Sequence, residues 1–144
     1  MAKSPEKRQA ALGDLCRRAG IQATHQRAEI CAELASTEEH PDAETVYRRV
    51  RWRIPCISLD TVYRALRVFE GKGLICRAHA AGERGRFDAN RDRHCHFLCV
   101  RCGLARDFYS KELDRIPVPR MAALPGMVQS LRVELRGLCR ECNA

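Results

Sequence analysis

Apolar residues recur at helical spacing through the N-terminal half of the chain, and the period then shortens. Residues 6–19 carry Ala10, Leu12, Leu15, Cys16 and Ala19 close to one stripe, with Gly20 as a natural stop. Thr24 is placed to N-cap a second helix whose apolar side includes Ala28, Cys31 and Leu34. His40-Pro41-Asp42 interrupts the pattern. Asp42 can cap a third helix with Val46, Tyr47 and Val50 facing inward, closed by Ile54-Pro55. Ser58 then caps a fourth, Leu59 to about Glu70, in which Leu59, Val62, Leu66 and Phe69 form one buried stripe. After Gly71-Lys72-Gly73, Leu74–His79 and Arg86–Ala89 read as two strands joined by a turn over residues 80–85.

Helices followed by a two-stranded hairpin make the winged helix-turn-helix plan, in which the fourth helix enters the major groove of DNA. Its outward side offers Asp60, Thr61, Arg64 and Arg67, with Tyr63 at the edge. Ser58, Thr61, Tyr63, Arg64 and Arg67 are therefore the candidate DNA contacts, since Arg reads guanine edges and hydroxyls meet phosphates or thymine methyls. After Asn90 the texture changes. Arg91-Asp92-Arg93 is a polar connector, and His96–Cys99, Leu104–Tyr109 and Ser130–Leu138 read as strands. Lys111-Glu112-Leu113 and Met121–Leu124 suggest helical pieces between them. The expected fold class is α+β: a winged helix-turn-helix domain over 1–90 and a small α+β domain over 91–144. An exposed sheet edge in the second would favour pairing with another copy.

Charge adds little to this division. The net charge of +8 divides evenly between residues 1–90 and 91–144. Locally, Arg48, Arg49, Arg51 and Arg53 crowd around Trp52, a pattern shared by DNA-binding surfaces and by ordinary solvated helix faces. No apolar stretch follows Met1, so a cytoplasmic protein without a membrane span is expected.

Cysteine adds more. Two Cys-x-x-Cys pairs, Cys99/Cys102 and Cys139/Cys142, have the spacing of a four-thiolate structural zinc site, which would tie the small second domain together. A thioredoxin-like redox pair would open a helix after a strand, whereas these pairs fall near strand ends and turns. Cys16, Cys31, Cys56 and Cys76 sit among apolar residues and read as small core side chains. His94 and His96 are two apart, which on a strand places both imidazoles on one face and turns Cys95 to the other. Asp88 lies at the end of the hairpin, Asp107 on the next strand, and His40 far off in sequence at a helix boundary. Imidazoles plus carboxylates make a site of intermediate hardness that accepts Fe²⁺, Mn²⁺, Zn²⁺ or Co²⁺. Such a site could also serve an oxygenase or hydrolase, but no further acid/base pair stands out, and that reading leaves the helix-turn-helix pattern unexplained.

Together these stretches resemble the ferric uptake regulator superfamily. The resemblance rests on Thr24-His25-Gln26-Arg27, His40-Pro41-Asp42-Ala43, Ser58 through Leu66, Gly71 through Ile75, Arg86-Phe87-Asp88, the His94–Cys102 block and the Cys139–Cys142 pair, in order along nearly the whole chain. It implies a homodimeric, metal-dependent repressor that binds a DNA operator, with no small-molecule substrate other than peroxide. It implies structural Zn²⁺ at Cys99, Cys102, Cys139 and Cys142, and a regulatory Fe²⁺ or Mn²⁺ at His40, Asp88, His94, His96 and Asp107. Iron-sensing members of the superfamily usually carry Glu where this chain has Asp88 and Asp107, and the peroxide-sensing branch carries Asp. A further site of iron sensors is replaced here by Arg93, Cys95 and Leu131. The resemblance therefore points to a peroxide sensor in which iron-dependent oxidation falls on His40 or His94. The alternative is a repressor of the same fold responding to iron, manganese or zinc alone. Arg64 stands where many relatives have Asn, which implies a different operator.

Overall fold

The first four helices all begin where a side chain satisfies an amide of the first turn. The structure, a computed structural model, describes residues 4–78, 85–120, 123–128 and 131–144. Helix α1 spans Pro5–Arg18, with Ser4 Oγ accepting from the Lys7 amide at 3.4 Å. Helix α2 spans His25–Ser36, capped by Thr24 through the Arg27 amide at 3.2 Å. Helix α3 spans Ala43–Arg51, and the Asp42 carboxylate accepts from the Thr45 amide at 2.8 Å. Helix α4 spans Leu59–Gly71, with Ser58 Oγ accepting from the Thr61 amide at 3.0 Å. Each cap removes one unsatisfied donor and fixes the entry point of the helix, a contribution of about 1 kcal/mol apiece. Gly20 adopts φ +70° after α1, a left-handed turn that a side chain would strain.

The chain forms two compact units that divide between Arg91 and Asp92. In the N-terminal unit the core is built from Ile30, Val46, Val50, Val62, Leu66 and Phe69, all essentially inaccessible to solvent. The stripe expected on α2 is shifted: Cys31 and Leu34 are buried with Ile30 and Ala35, but Ala28 is exposed. On α4, Leu59, the first residue of the helix, is only half-buried. Of the four thiols expected in the core, Cys31 is buried, Cys16 and Cys76 are half-buried, and Cys56 is exposed in the turn before α4. Trp52 is 89 % exposed at the end of α3.

Two arginines of the basic cluster have a structural duty. Glu33 on α2 is buried, and it accepts from Arg49 at 3.4 Å and from Arg53 at 3.0 Å. Arg49 also reaches Glu39 at 3.0 Å, and Arg53 also pairs with Glu29. The cations thus bind α2 to α3 and keep the Glu33 carboxylate from being buried without compensation.

Strands β1 (Cys76–Ala78) and β2 (Arg86–Asp88) pair antiparallel, Arg77 opposite Phe87. They are shorter than the stretches expected from sequence. His79 and residues 80–84 of the expected turn lie outside the described residues. The Phe87 amide donates to the Pro41 carbonyl at 3.0 Å, and Asp42 bridges to Arg86, so the segment before α3 is fastened to β2.

In the C-terminal unit, β3 (Cys95–Cys99), β4 (Ala105–Phe108) and β5 (Val133–Gly137) form one sheet in the order β4-β3-β5. The β3–β4 pair is antiparallel and the β3–β5 pair is parallel. A 3₁₀ turn covers Leu113–Arg115, slightly later than expected, and a one-turn helix α5 covers Arg140–Asn143. Met121 and Ala122 of the expected second helical piece, and Ser130 of the expected third strand, lie outside the described residues. Strand β5 forms an outer edge of the sheet and carries Leu135, 45 % exposed. Among the described residues no helix is long and apolar enough to cross a membrane.

The Glu33 cluster yields a stability prediction. Glu33→Ala removes the shared acceptor and should destabilise the N-terminal unit by about 1–2 kcal/mol, less than a fully buried pair because Arg49 and Arg53 are partly solvated. Urea unfolding followed by circular dichroism measures this, and an unchanged midpoint would show that the cluster contributes nothing.

Candidate metal centres

The four cysteines come together at one end of the C-terminal sheet. Cys99 is the last residue of β3, and the chain then turns tightly: the Gly103 amide donates to the Cys99 carbonyl at 2.9 Å and the Cys99 amide to the Leu104 carbonyl at 2.8 Å. Gly103 takes φ +75° to close this knuckle, which returns Cys102 toward Cys99. Parallel pairing sets Gly137 opposite Cys99, so the chain leaving β5 places Cys139 beside the first knuckle. Cys139 starts α5, whose single turn brings Cys142 onto the same side. The Val100 amide donates to the Gly137 carbonyl at 2.9 Å, and Arg101 donates to the Cys142 carbonyl at 2.6 Å.

The four sulfurs lie within 4.8 Å of one another, and Cys102 Sγ is 3.8 Å from Cys139 Sγ. A tetrahedron with metal–sulfur distances of ~2.3 Å has sulfur–sulfur edges of ~3.8 Å, so the set fits zinc. The protein also prepares one thiolate in advance. Amide N–H groups of Cys102 and Cys139, aimed at the Cys99 sulfur, hold its thiol down to about 6. The Cys139 donor is 3.4 Å away. Cys142 is pushed up to about 12, chiefly because its S–H is engaged with the Cys139 sulfur. Like sulfurs this close cannot all ionise, and a divalent cation at their centre is what lets them.

The imidazoles and carboxylates fall in both units. In the N-terminal unit, His40 Nδ1 is 3.6 Å from Asp88 Oδ1, and both side chains are 3 % exposed. His40 has φ 51°, a left-handed conformation costing about 1–3 kcal/mol for a non-glycine residue. The fastening of Pro41 and Asp42 to β2 holds it there and sets its ring against the end of that strand. The Asp88 carboxylate also accepts from the Asn90 amide at 2.7 Å.

In the C-terminal unit, His96 on β3 is directly opposite Asp107 on β4. His96 Nδ1 is 3.2 Å and His94 Nε2 3.5 Å from Asp107 Oδ1, and the two rings are 4.5 Å apart. His94 Nδ1 lies 2.5 Å from the Asp92 carbonyl oxygen. A carbonyl only accepts, so Nδ1 carries the proton of the neutral ring and Nε2 presents its lone pair toward Asp107. A lone pair facing a carboxylate is stabilised by a cation between them, a proton or a metal ion. Ligands ~2.1 Å from one ion sit ~3.0–3.4 Å apart, close to the separations here, so each group fits part of a mixed nitrogen/oxygen shell. Cys95, between the histidines, is buried. The backbone supports of this chemistry, the Asn90 amide and the Asp92 carbonyl, are invisible in sequence because any residue supplies them.

On α4, Arg64 and Arg67 are exposed, Tyr63 is 44 % exposed and Thr61 is half-buried. Ser58 is exposed, with its Oγ also 2.8 Å from the Thr61 hydroxyl oxygen, and Arg64 pairs with Asp60 at 2.8 Å.

The sequence profile of the ferric uptake regulator family matches residues 18–135. The chain belongs to this family. In the broad sense it is a metal-responsive transcriptional repressor. The peroxide-responsive repressor PerR of Staphylococcus epidermidis is 34% identical over 127 residues, covering 88% of this chain and 85% of the relative. Among solved structures, the Pseudomonas aeruginosa ferric uptake regulator with manganese aligns at TM-score 0.68 and 30% identity, covering 86% of this chain and 96% of that one. A zinc-bound manganese uptake regulator aligns at TM-score 0.65 and 30% identity, covering 88% and 98%.

Two measurements follow for the cysteine site. Cys142→Ser should release zinc and lower the unfolding midpoint of the C-terminal unit, read by metal analysis and thermal melting; full zinc content in that variant would refute the assignment. In metal-free protein, one thiolate absorbance should titrate near pH 6 and vanish in Cys99→Ser. Because the folded value lies below the ordinary thiol value of 9.0, the stability this group contributes is complete above pH 9 and lost as pH falls through about 6.

Proposed function

We propose that this protein is a peroxide-sensing repressor of the ferric uptake regulator family, acting in the cytoplasm as a homodimer on a near-palindromic DNA operator and turning over no substrate of its own. The observation that carries the reading is a pair of aspartates, Asp88 and Asp107, set beside the imidazoles of His40, His94 and His96, in a chain whose relatives include proteins named peroxide-responsive repressors. In this proposal the two groups complete one coordination shell: His40 and Asp88 come from the N-terminal unit, and His94, His96 and Asp107 from the C-terminal unit. Metal then favours the single arrangement of units that fills its shell, and that arrangement is the one that binds DNA.

Ferrous iron held there would reduce peroxide by one electron to hydroxide and a hydroxyl radical. The radical would add to the ring of His40 or His94, and loss of a second electron to ferric iron, with a proton, would leave the oxygenated ring. An oxygenated imidazole is a poorer ligand, so the shell loosens and operator affinity falls. The four-cysteine zinc keeps the C-terminal unit folded throughout, and the edge strand β5 is the surface on which a second copy pairs. Helix α4 enters the major groove, where Thr61, Tyr63 and Arg64 read bases and Ser58 and Arg67 hold the backbone.

The likeness to manganese uptake regulators supports a second reading, in which the metal itself is the signal. Operator binding with Fe²⁺ and with Mn²⁺, each with and without peroxide, separates the two. The peroxide reading expects loss of binding only with Fe²⁺, together with added oxygen on His40 or His94 by mass spectrometry. Retained binding with unmodified histidines would replace it with the metal-only reading. Arg64→Ala should lose ~1–3 kcal/mol of discrimination at one base position while leaving non-specific affinity almost unchanged.

A further inference from the structure

Cys16 and Cys31 come from different helices, α1 and α2, yet their sulfurs are 3.7 Å apart. Neither belongs to the metal centres, and their fifteen-residue separation in sequence gives no motif. A cavity of about 530 Å³ opens beside them, with Gln9, Ala10, Gly13 and Ala28 in its walls and Arg17 and Arg27 in its lining. Cys16 and Cys31 are both among its lining residues. Cys16 is half-buried and Cys31 buried, so a reagent in the cavity reaches Cys16 first. Sulfur atoms at this separation need to approach by less than 2 Å to reach the disulfide length of ~2.05 Å, a movement within the range of side-chain rotation.

We propose that Cys16 and Cys31 form a redox-convertible dithiol that is oxidised by a small disulfide entering this cavity, with Cys16 as the entry thiol. The Cys16 thiolate attacks one sulfur of the reagent RS–SR. The reagent's S–S bond breaks, one RS⁻ leaves and takes up the proton Cys16 has released, and a mixed disulfide Cys16–S–SR remains. The Cys31 sulfur then attacks Cys16 Sγ, its proton passing to the second departing RS⁻. Two protein thiols are oxidised to one disulfide, and one RS–SR is reduced to two RSH. The order of attack has electrostatic support. Burial, and then the adjacent Cys16 sulfur, push the Cys31 thiol up, so Cys31 keeps its proton while Cys16 reacts. Arg17 and Arg27 share the lining with Glu6 and Asp14, and Arg17 pairs with Asp14, so the walls are balanced in charge and do not select the charge of the reagent. The product joins α1 to α2 covalently inside the N-terminal unit. It needs no metal, so it is independent of the peroxide reading.

Cys56 is exposed and provides an internal reference for plain surface reactivity. Zinc-loaded full-length protein is incubated with glutathione disulfide, the remaining thiols are blocked with N-ethylmaleimide, and non-reducing peptide mass spectrometry maps every cysteine while zinc content is monitored. The expected result is a Cys16–Cys31 cross-linked peptide lacking two hydrogens, a mixed disulfide at Cys56, and retained zinc. Cys31→Ser should trap the mixed disulfide at Cys16. Cys16→Ser should leave Cys31 modified at least about tenfold more slowly than Cys16 is in Cys31→Ser. Circular dichroism of both variants confirms that the comparison is between folded chains. A Cys16 that stays unmodified while Cys56 is fully converted, a wild-type chain that stops at the Cys16 mixed disulfide, or equal rates at the two thiols would each overturn the proposal. The wild-type map alone is decisive should either variant fail to fold.

Discussion

The closure of Cys99 and Cys102 against Cys139 and Cys142 is the constraint on which the C-terminal unit depends. Strand β5 is an edge of a three-stranded sheet and pairs with β3 in parallel, across a connection with one 3₁₀ turn and few buried apolar side chains among its described residues. A sheet this small gains little from burial. Zinc held by the four sulfurs, as proposed, would supply what the core does not. The Cys99–Cys102 knuckle is also the turn between β3 and β4, so it fixes the register that sets His96 opposite Asp107, while the second knuckle follows β5. The four-cysteine cluster and the proposed sensing ligands are thereby coupled through one short strand.

The N-terminal unit has the opposite economy. It has a full apolar core, and its polar groups refine it. Four side-chain caps set the helix starts, and Glu33 with its arginines sets how α3 lies on α2. The strained backbone of His40 is held by the hydrogen bond from Phe87 to Pro41, so a proposed ligand is positioned by a strand it does not belong to.

Much of this was legible in sequence, for specific reasons. Thr24, Asp42 and Ser58 announce helix starts because capping depends on residue type. The doubled cysteine pairs announce a tetrahedral site because the spacing itself limits what they can bind. His94 and His96 share a face because a strand repeats every two residues. What sequence did not disclose depends on partners far along the chain. The arginines around Trp52 look alike in sequence, and only the fold shows Arg49 and Arg53 tied to acids of α2. Cys56 sits among apolar neighbours in sequence yet faces solvent, because its turn lies outside the helix contacts. The meeting of Cys16 with Cys31 depends on how α1 crosses α2, which no local pattern encodes.

The parallel pairing of β3 with β5 also has a kinetic consequence. The pairing joins segments more than thirty residues apart, whereas α1 to α4 meet mainly their sequence neighbours. Contacts of high sequence separation require loop closure before they return any free energy, so they form late. The helical unit is thus set to fold first and fast. The sheet that carries Asp107 follows more slowly, since its two cysteine-bearing ends must first be brought together.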